Sequence, residues 1–271
     1  MTTDDLKAAI DRGDVTAVRA ILADDPGIVT RQIAWGCDAS EPISYVSLAR
    51  FHGLAEHGRM GEIARILLAA GAPVEGATGS EETPIVTAAS YDEAEVAAAL
   101  IKAGADLDGR GFAAPGGTAL AHAVYFGNRA VADVLMGAGA RVGSLAEAAG
   151  AGELGEWLTD DRSNEERALA LRNASVCERL DVIDQLLDAG VDIHAEADGA
   201  TVLHWAAWSG KISAVRHLVE RGADAQRRDP AHGGNPLGWC RHRHNELFRP
   251  SLGHEAVEDF LEQLEPHEKR S

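Results

Sequence analysis

Glycine closes an apolar helical stripe again and again along this chain, at a spacing that no single globular core imposes. Gly71 and Gly104 lie 33 residues apart, and Thr83 and Thr118 lie 35 apart. The fullest copy runs from Gly199-Ala-Thr-Val-Leu-His-Trp-Ala-Ala-Trp-Ser-Gly-Lys211 into Val215-Arg-His-Leu-Val-Glu-Arg-Gly-Ala-Asp224. Each copy reads as two short helices. Thr201 or Thr83 is placed to cap the first, and Pro84 suits its first turn. Ala88-Ala89 and Ala206-Ala207 are small enough for close helix approach. Val96, Leu100 and Ile101, or Val182, Ile183, Leu186 and Leu187, form the buried stripe of the second helix. Gly71, Gly104, Gly139, Gly190 and Gly222 then stop it. One such pair cannot bury its own apolar face, so neighbours must stack into an all-α solenoid.

These residues resemble ankyrin repeats: Thr83-Pro-Ile-Val-Thr-Ala-Ala89, Thr118-Ala-Leu-Ala-His-Ala-Val124 and Thr201-Val-Leu-His-Trp-Ala-Ala207, each leading to a Gly-Ala ending. The resemblance covers nearly the whole chain and implies about eight helix-turn-helix repeats with β-turn tips. We expect one ankyrin domain over 1–271. The first helix pair falls near Asp5 to Ala23, with Leu6, Ala9, Val18 and Leu22 inward, and the second uses Ile43 to Ala49 and Ile63 to Ala70. Irregular stretches are expected near 28–62, where Ile28 to Pro42 and Gly53 to Gly58 are insertions, and near 144–167. In the latter, Leu145, Ala148, Ala149 and Gly152 fit the pattern, but Trp157 and acidic residues replace the Gly-Ala ending. A capping repeat is expected over 235–264.

Charge narrows the partners. The 271 residues hold 43 acidic against 25 basic side chains, a formal net charge of −18. That balance disfavours nucleic acid and anionic membranes and favours a basic target, although acidity also serves solubility alone. No apolar run approaches the roughly 20 residues that span a bilayer. Three cysteines, Cys37, Cys177 and Cys240, show no disulfide framework, and the N-terminus lacks a signal-like apolar core, so a reduced, cytoplasmic setting is expected. The excess of Arg over Lys and the abundance of Ala resemble a GC-rich bacterial genome.

Binding positions come from the resemblance, which implies that ligands meet the turn tips and the two residues after the paired alanines of each inner helix. Carried over, these are Ser90 and Tyr91, Tyr125 and Phe126, Gly150 and Ala151, Val176 and Cys177, and Trp208 and Ser209, with His242 and Arg243 in the divergent last repeat. The tips include Glu81, Glu82, Gly116, Asp198 and His232. Four of the chain's thirteen Trp, Tyr and Phe residues therefore fall on one expected stripe, Tyr91, Tyr125, Phe126 and Trp208, which predicts an aromatic concave groove. The stripe's rings have an alternative role in packing between repeats. Trp205 sits where the family carries a core Leu, so it is expected to point into the stack. His204 is the motif histidine, whose family role is to brace the turn, and His122 is expected in the core.

Catalytic and cofactor motifs are not apparent. Gly109-Arg-Gly111 follows a repeat ending and not a strand, and no nucleophile elbow or phosphate loop occurs. Cys240-Arg-His-Arg-His244 has ligand types for zinc, but residues two apart on a helix face apart, so only Cys240 and His244 share a side and no metal is expected. Asp160-Asp161 with Glu165-Glu166 reads as a solvated face. The expected function is a scaffold for a protein or peptide partner. Two alternatives remain open: a small-molecule pocket on the same face, with or without catalysis, and an immunity protein against a basic toxin. Enclosure by the insertions over Tyr91, Tyr125 and Trp208 would favour the pocket.

Overall fold

The structure, a computed structural model, describes residues 2–51, 53, 58–77, 82–109, 111–159, 161–246 and 252–265. Among them are fifteen α-helices and two short hairpins. Contacts group the chain into two compact units, Met1–Val142 and Gly143–Ser271.

The N-terminal unit contains four helix pairs: α1 (Thr3–Asp11) with α2 (Val15–Asp24), α3 (Pro42–Phe51) with α4 (Met60–Ala69), α5 (Pro84–Ser90) with α6 (Ala94–Lys102), and α7 (Ala119–Tyr125) with α8 (Arg129–Gly137). Leu6, Ala9, Val18 and Leu22 are buried, as the apolar spacing requires. The first insertion is ordered as a 3-10 turn, Pro26–Thr30, and a hairpin of β1 (Ile33–Trp35) and β2 (Asp38–Ser40), paired Ile33 to Ser40. The second lies mostly outside the described residues.

In the C-terminal unit, α9 (Leu145–Ala151) is followed by a 3-10 turn, Gly155–Trp157, where an outer helix would stand. Next come α10 (Asn164–Val176) and α11 (Leu180–Asp188), a hairpin of β3 (Glu196–Ala197) and β4 (Ala200–Thr201), α12 (Val202–Trp208) and α13 (Ile212–Glu220), and α14 (Pro236–Glu246) and α15 (Leu252–Glu262). Its core joins Leu171, Ile183, Leu186, Leu203, Val215, Leu218, Cys240 and Val257 across successive helices. Leu187, expected among the buried stripe, is only half-buried, because the stripe's inward arc is filled by Val182, Ile183 and Leu186.

Repeat endings share one hydrogen-bond pattern. After α13, Gly222 takes φ +99°. Its N–H donates to the Val219 carbonyl at 3.0 Å, and the Ala223 N–H donates to Leu218 at 2.9 Å. Glycine is needed because a Cβ disfavours that left-handed turn. The long-range bond recurs from Ala72 to Leu67, Ala105 to Leu100, Ala140 to Leu135 and Val191 to Leu186.

Helix starts are less uniform than the motif suggests. The Thr118 hydroxyl accepts from the Ala121 N–H at 3.1 Å, and Pro84 occupies the first turn of α5. Thr201 and Thr83 make no such cap. The Thr201 hydroxyl is instead drawn to His204 Nδ1, at 2.7 Å, and the buried Thr83 hydroxyl has no hydrogen-bond partner among the described residues. The acidic segment before α10 also gains a defined role. Ser163 and Glu166 form a reciprocal capping box, with Arg162 on the Glu166 carboxylate at 3.1 Å. That carboxyl is held below its usual range by the Ser163 N–H and hydroxyl and by Arg162. Asp160 lies outside the described residues.

Candidate functional site

An apolar concavity lies in the C-terminal unit. It has a volume of about 480 Å³ and is lined by Trp205, Trp208, His232, Gly234, Gly238, Trp239 and His242. Trp205 and Trp208 come from α12, Trp239 and His242 from α14, and His232 and Gly234 from the turn between α13 and α14. None belongs to an insertion.

Trp239 is the central wall. Its ring centroid lies 5.3 Å from Trp205 and 5.7 Å from Trp208, at interplanar angles of 82° and 70°. These are edge-to-face geometries, in which the positive ring edge meets the negative face. His242 stands 5.9 Å from Trp208. A guanidinium also covers each of two rings: Arg172 lies 4.7 Å from the Trp205 centroid, and Arg243 lies 5.5 Å from that of Trp208.

Buried polar groups lock this arrangement. The Asp229 carboxylate accepts from the backbone N–H groups of Ala231, His232 and Gly234 at 3.0, 2.6 and 2.7 Å, and from Trp239 Nε1 at 3.0 Å. Burial works to raise its pKa, but the Trp239 indole and the three amides prevail and hold it well below the usual carboxylate range. Trp205 Nε1 donates to the Ala197 carbonyl at 2.7 Å. A Cβ at Gly234 would stand 3.0 Å from Trp239 Cδ1, a tight contact to which the ring would have to yield.

His204 ties the turn to α12. Its Nε2 lies 3.1 Å from the Gly234 carbonyl oxygen, which can only accept, so that nitrogen carries the proton and Nδ1 accepts from Thr201. Burial lowers its pKa and favours the neutral ring. The motif histidine thus braces the turn, as the resemblance implied. On the other side, His254 Nε2 donates to the Trp208 carbonyl at 2.8 Å, and burial lowers the pKa of this ring too.

The expected binding positions divide among these surroundings. Trp208 and His242 line the cavity, and Arg243 stacks on Trp208. Asp198 occupies the β3–β4 tip with φ +50°, beside Gly199 at +81°, the paired positive angles that a two-residue hairpin turn demands. Its carboxylate lies 3.5 Å from Arg172 Nε, so it supports the guanidinium beneath Trp205. Tyr125 and Phe126 belong to the N-terminal unit, where their rings meet edge-on at 5.2 Å and Phe126 is 41% exposed. Tyr91, in the same unit, is half-buried; burial, Glu82 and Asp38 push its hydroxyl pKa up. Val176, Cys177 and Ala151 are buried and present no surface to a partner. Glu81 lies outside the described residues.

Trp205 requires a correction. It is half-buried and forms a wall of the cavity, not part of the stack's interior, because Arg172 packs on its ring and Ala197 anchors its indole nitrogen. Trp239 went unrecognised, although the sequence holds its signal: it lies 34 residues after Trp205, at the same place in the next repeat, just as His242 follows Trp208. Equivalent positions in successive repeats become neighbours.

Metal-binding geometry is lacking among the described residues, where no three His, Cys, Asp or Glu side chains converge. Cys240 is buried, its thiol facing the His254 carbonyl at 3.6 Å, and burial pushes its pKa up to about 12. His244 pairs with Glu258 at 2.7 Å. Among the described residues, no helix is long and apolar enough to cross a membrane.

Comparison with known proteins agrees with this architecture. The family model for ankyrin repeats in three copies matches residues 51–146 and 145–229. A segment of 82 residues is 39% identical to the palmitoyltransferase AKR1 of Lachancea kluyveri, covering 30% of this chain and 11% of that protein. The chain thus spans only about a tenth of that relative's length. Among solved structures, it is similar to the human ASB11 ankyrin repeat domain, with 20% identity, a TM-score of 0.45, and coverage of 96% of this chain and 97% of the other. It is likewise similar to the ankyrin repeat domain of Bcl-3, a member of the IkappaB family, with 20% identity, a TM-score of 0.42, and 95% and 97% covered. With a family match over more than half its length and the repeat endings, motif histidine and hairpin tip in place, the chain belongs to the ankyrin-repeat family.

Proposed function

We propose that this protein is an ankyrin scaffold that anchors a protein or peptide partner by seating an apolar side chain among Trp205, Trp208 and Trp239. The observation that carries this reading is the three-tryptophan cavity itself, with two imidazoles at its wall. Large rings desolvated on one side are the usual energetic centre of an interface.

The polar groups favour an extended partner over an isolated small molecule. Small-molecule sites orient their ligands through a few convergent polar atoms. Here the Trp205 and Trp239 N–H groups are engaged by Ala197 and Asp229, and Gly234 uses its N–H on Asp229 and its carbonyl on His204. Specificity therefore rests on the two imidazoles at the wall and on the rim, which a longer partner reaches. The cavity's volume, within the few-hundred-Å³ range of small-molecule sites, supports a small apolar ligand as the second reading. In the first reading Tyr125 and Phe126 form a separate, auxiliary contact, the protein works in the cytoplasm, and its repeats act as a single domain.

Affinity capture from the native host, using wild-type and Trp239→Ala proteins, tests both readings by mass spectrometry of retained proteins and extracted small molecules. The scaffold reading expects proteins retained by the wild type and lost with Trp239→Ala. Loss of a small molecule alone supports the second reading, and identical retention by both proteins contradicts both.

A further inference from the structure

Much of the cavity's lining belongs to a segment that is basic within an acidic chain. Residues 227–244 hold Arg227, Arg228, Arg241 and Arg243 against one carboxylate, Asp229, and also contain His232, His242 and His244. Asp229 is turned inward onto its four donors. Several of the basic groups are already paired: Arg227 reaches Glu196 at 3.6 Å, Arg241 and His244 meet Glu262 and Glu258, and His242 faces Glu246 at 3.3 Å.

Arg228 and Arg243 have no carboxylate partner among the described residues. Arg228 is exposed, and its Nη1 donates to the Gly233 carbonyl at 2.6 Å, next to the cavity residue Gly234. Arg243 lies over Trp208. The two guanidiniums therefore flank an apolar pocket, and each has N–H groups left to offer a carboxylate.

We propose that the pocket selects an acidic peptide segment, with an apolar or aromatic anchor between the tryptophans and neighbouring Asp or Glu carboxylates on Arg228 and Arg243. This rests on the pocket being a peptide anchor, and it reverses the partner charge that the chain's net charge of −18 suggests. Screening resolves the two scales. At physiological salt the Debye length is about 8 Å, so a bound segment feels the rim far more than distant carboxylates. A nucleic acid strand fits less well. Its phosphates would extend beyond the two guanidiniums along a chain of net charge −18.

The test uses the full chain and three synthetic peptide libraries with a shared randomised core flanked by Glu, Lys or Ser, alongside a single-stranded oligonucleotide pool. The wild type is expected to retain Glu-flanked peptides on the order of tenfold over Lys-flanked ones, with the advantage shrinking as salt rises. Arg228→Glu with Arg243→Glu should invert that preference. Arg228→Ala, at an exposed side chain, should reduce it while leaving the melting temperature unchanged. Equal or greater retention of Lys-flanked peptides overturns the proposal, as does a Glu preference that survives the double substitution in a folded protein. Oligonucleotide retention that depends on Trp239 and exceeds peptide retention overturns it in favour of nucleic acid. Retention of every library equally by wild type and Trp239→Ala removes the peptide-anchor reading itself, and this proposal with it.

Discussion

Individual side chains here do work that their residue type alone does not announce. Glu93, at the start of α6, is buried with Arg50 Nε 2.8 Å from its carboxylate, and burial, only partly offset by that arginine, raises its pKa to about 7. The unfolded chain ionises this group near 4.5. Its folded-state pKa is the higher, so stability from protonation is fully present below pH 4.5 and is lost as pH rises through 7. Glu93→Gln should therefore reduce the difference in unfolding free energy between pH 5 and pH 8 by up to about 3 kcal/mol. Urea titrations at both pH values check this, and an unchanged difference would contradict it. Trp205 illustrates the limit of motif reading at this scale. Its repeat position implies an interior residue, but Arg172 under its ring and the Ala197 carbonyl at its nitrogen hold it at the cavity. Neither partner is adjacent in sequence, so nothing local to Trp205 discloses the role.

Helices and turns were the most legible level, because their signals are short-range. The positive-φ glycines and the Pro84 helix start each act within one turn. Edges of the buried arc were less legible, since 3.6-residue periodicity leaves flanking positions ambiguous. In α11, Leu186 is fully buried and Leu187 half-buried. Leu186→Ala should cost about 2–5 kcal/mol and Leu187→Ala clearly less, as measured by urea unfolding. Equal losses would show that both leucines pack alike. The turn from Asp229 to Gly234 was least legible: its order comes from one carboxylate collecting four donors, a tertiary arrangement without a periodic signature. Gly234→Ala should push Trp239 aside and alter the near-ultraviolet circular dichroism more than it alters helix content, because its Cβ would meet that ring. A change confined to helix content would place the strain elsewhere.

At the level of the whole chain, net charge and local charge give opposite instructions. A formal −18 is a statement about solubility and distant attraction, whereas binding is governed within a Debye length of the site. The repeat period disclosed the fold because stacking makes each unit depend on its neighbours. It disclosed the site only in part: Trp208, His242 and Arg243 follow from repeat position, but their convergence with Trp205 and Trp239 depends on how α12, α14 and the intervening turn pack. If the repeats act as a single domain, as proposed, calorimetry should show one cooperative transition, and two resolved transitions would contradict that organisation. The tryptophan cavity as the binding centre is tested most directly by amide hydrogen exchange along the whole chain, alone and saturated with a partner retained by the wild type. Protection should concentrate in residues 197–209 and 228–244, with weaker protection around the auxiliary contact at Tyr125 and Phe126. Protection confined to the Tyr125 segment, with the tryptophan-bearing helices unaffected, would contradict the assignment.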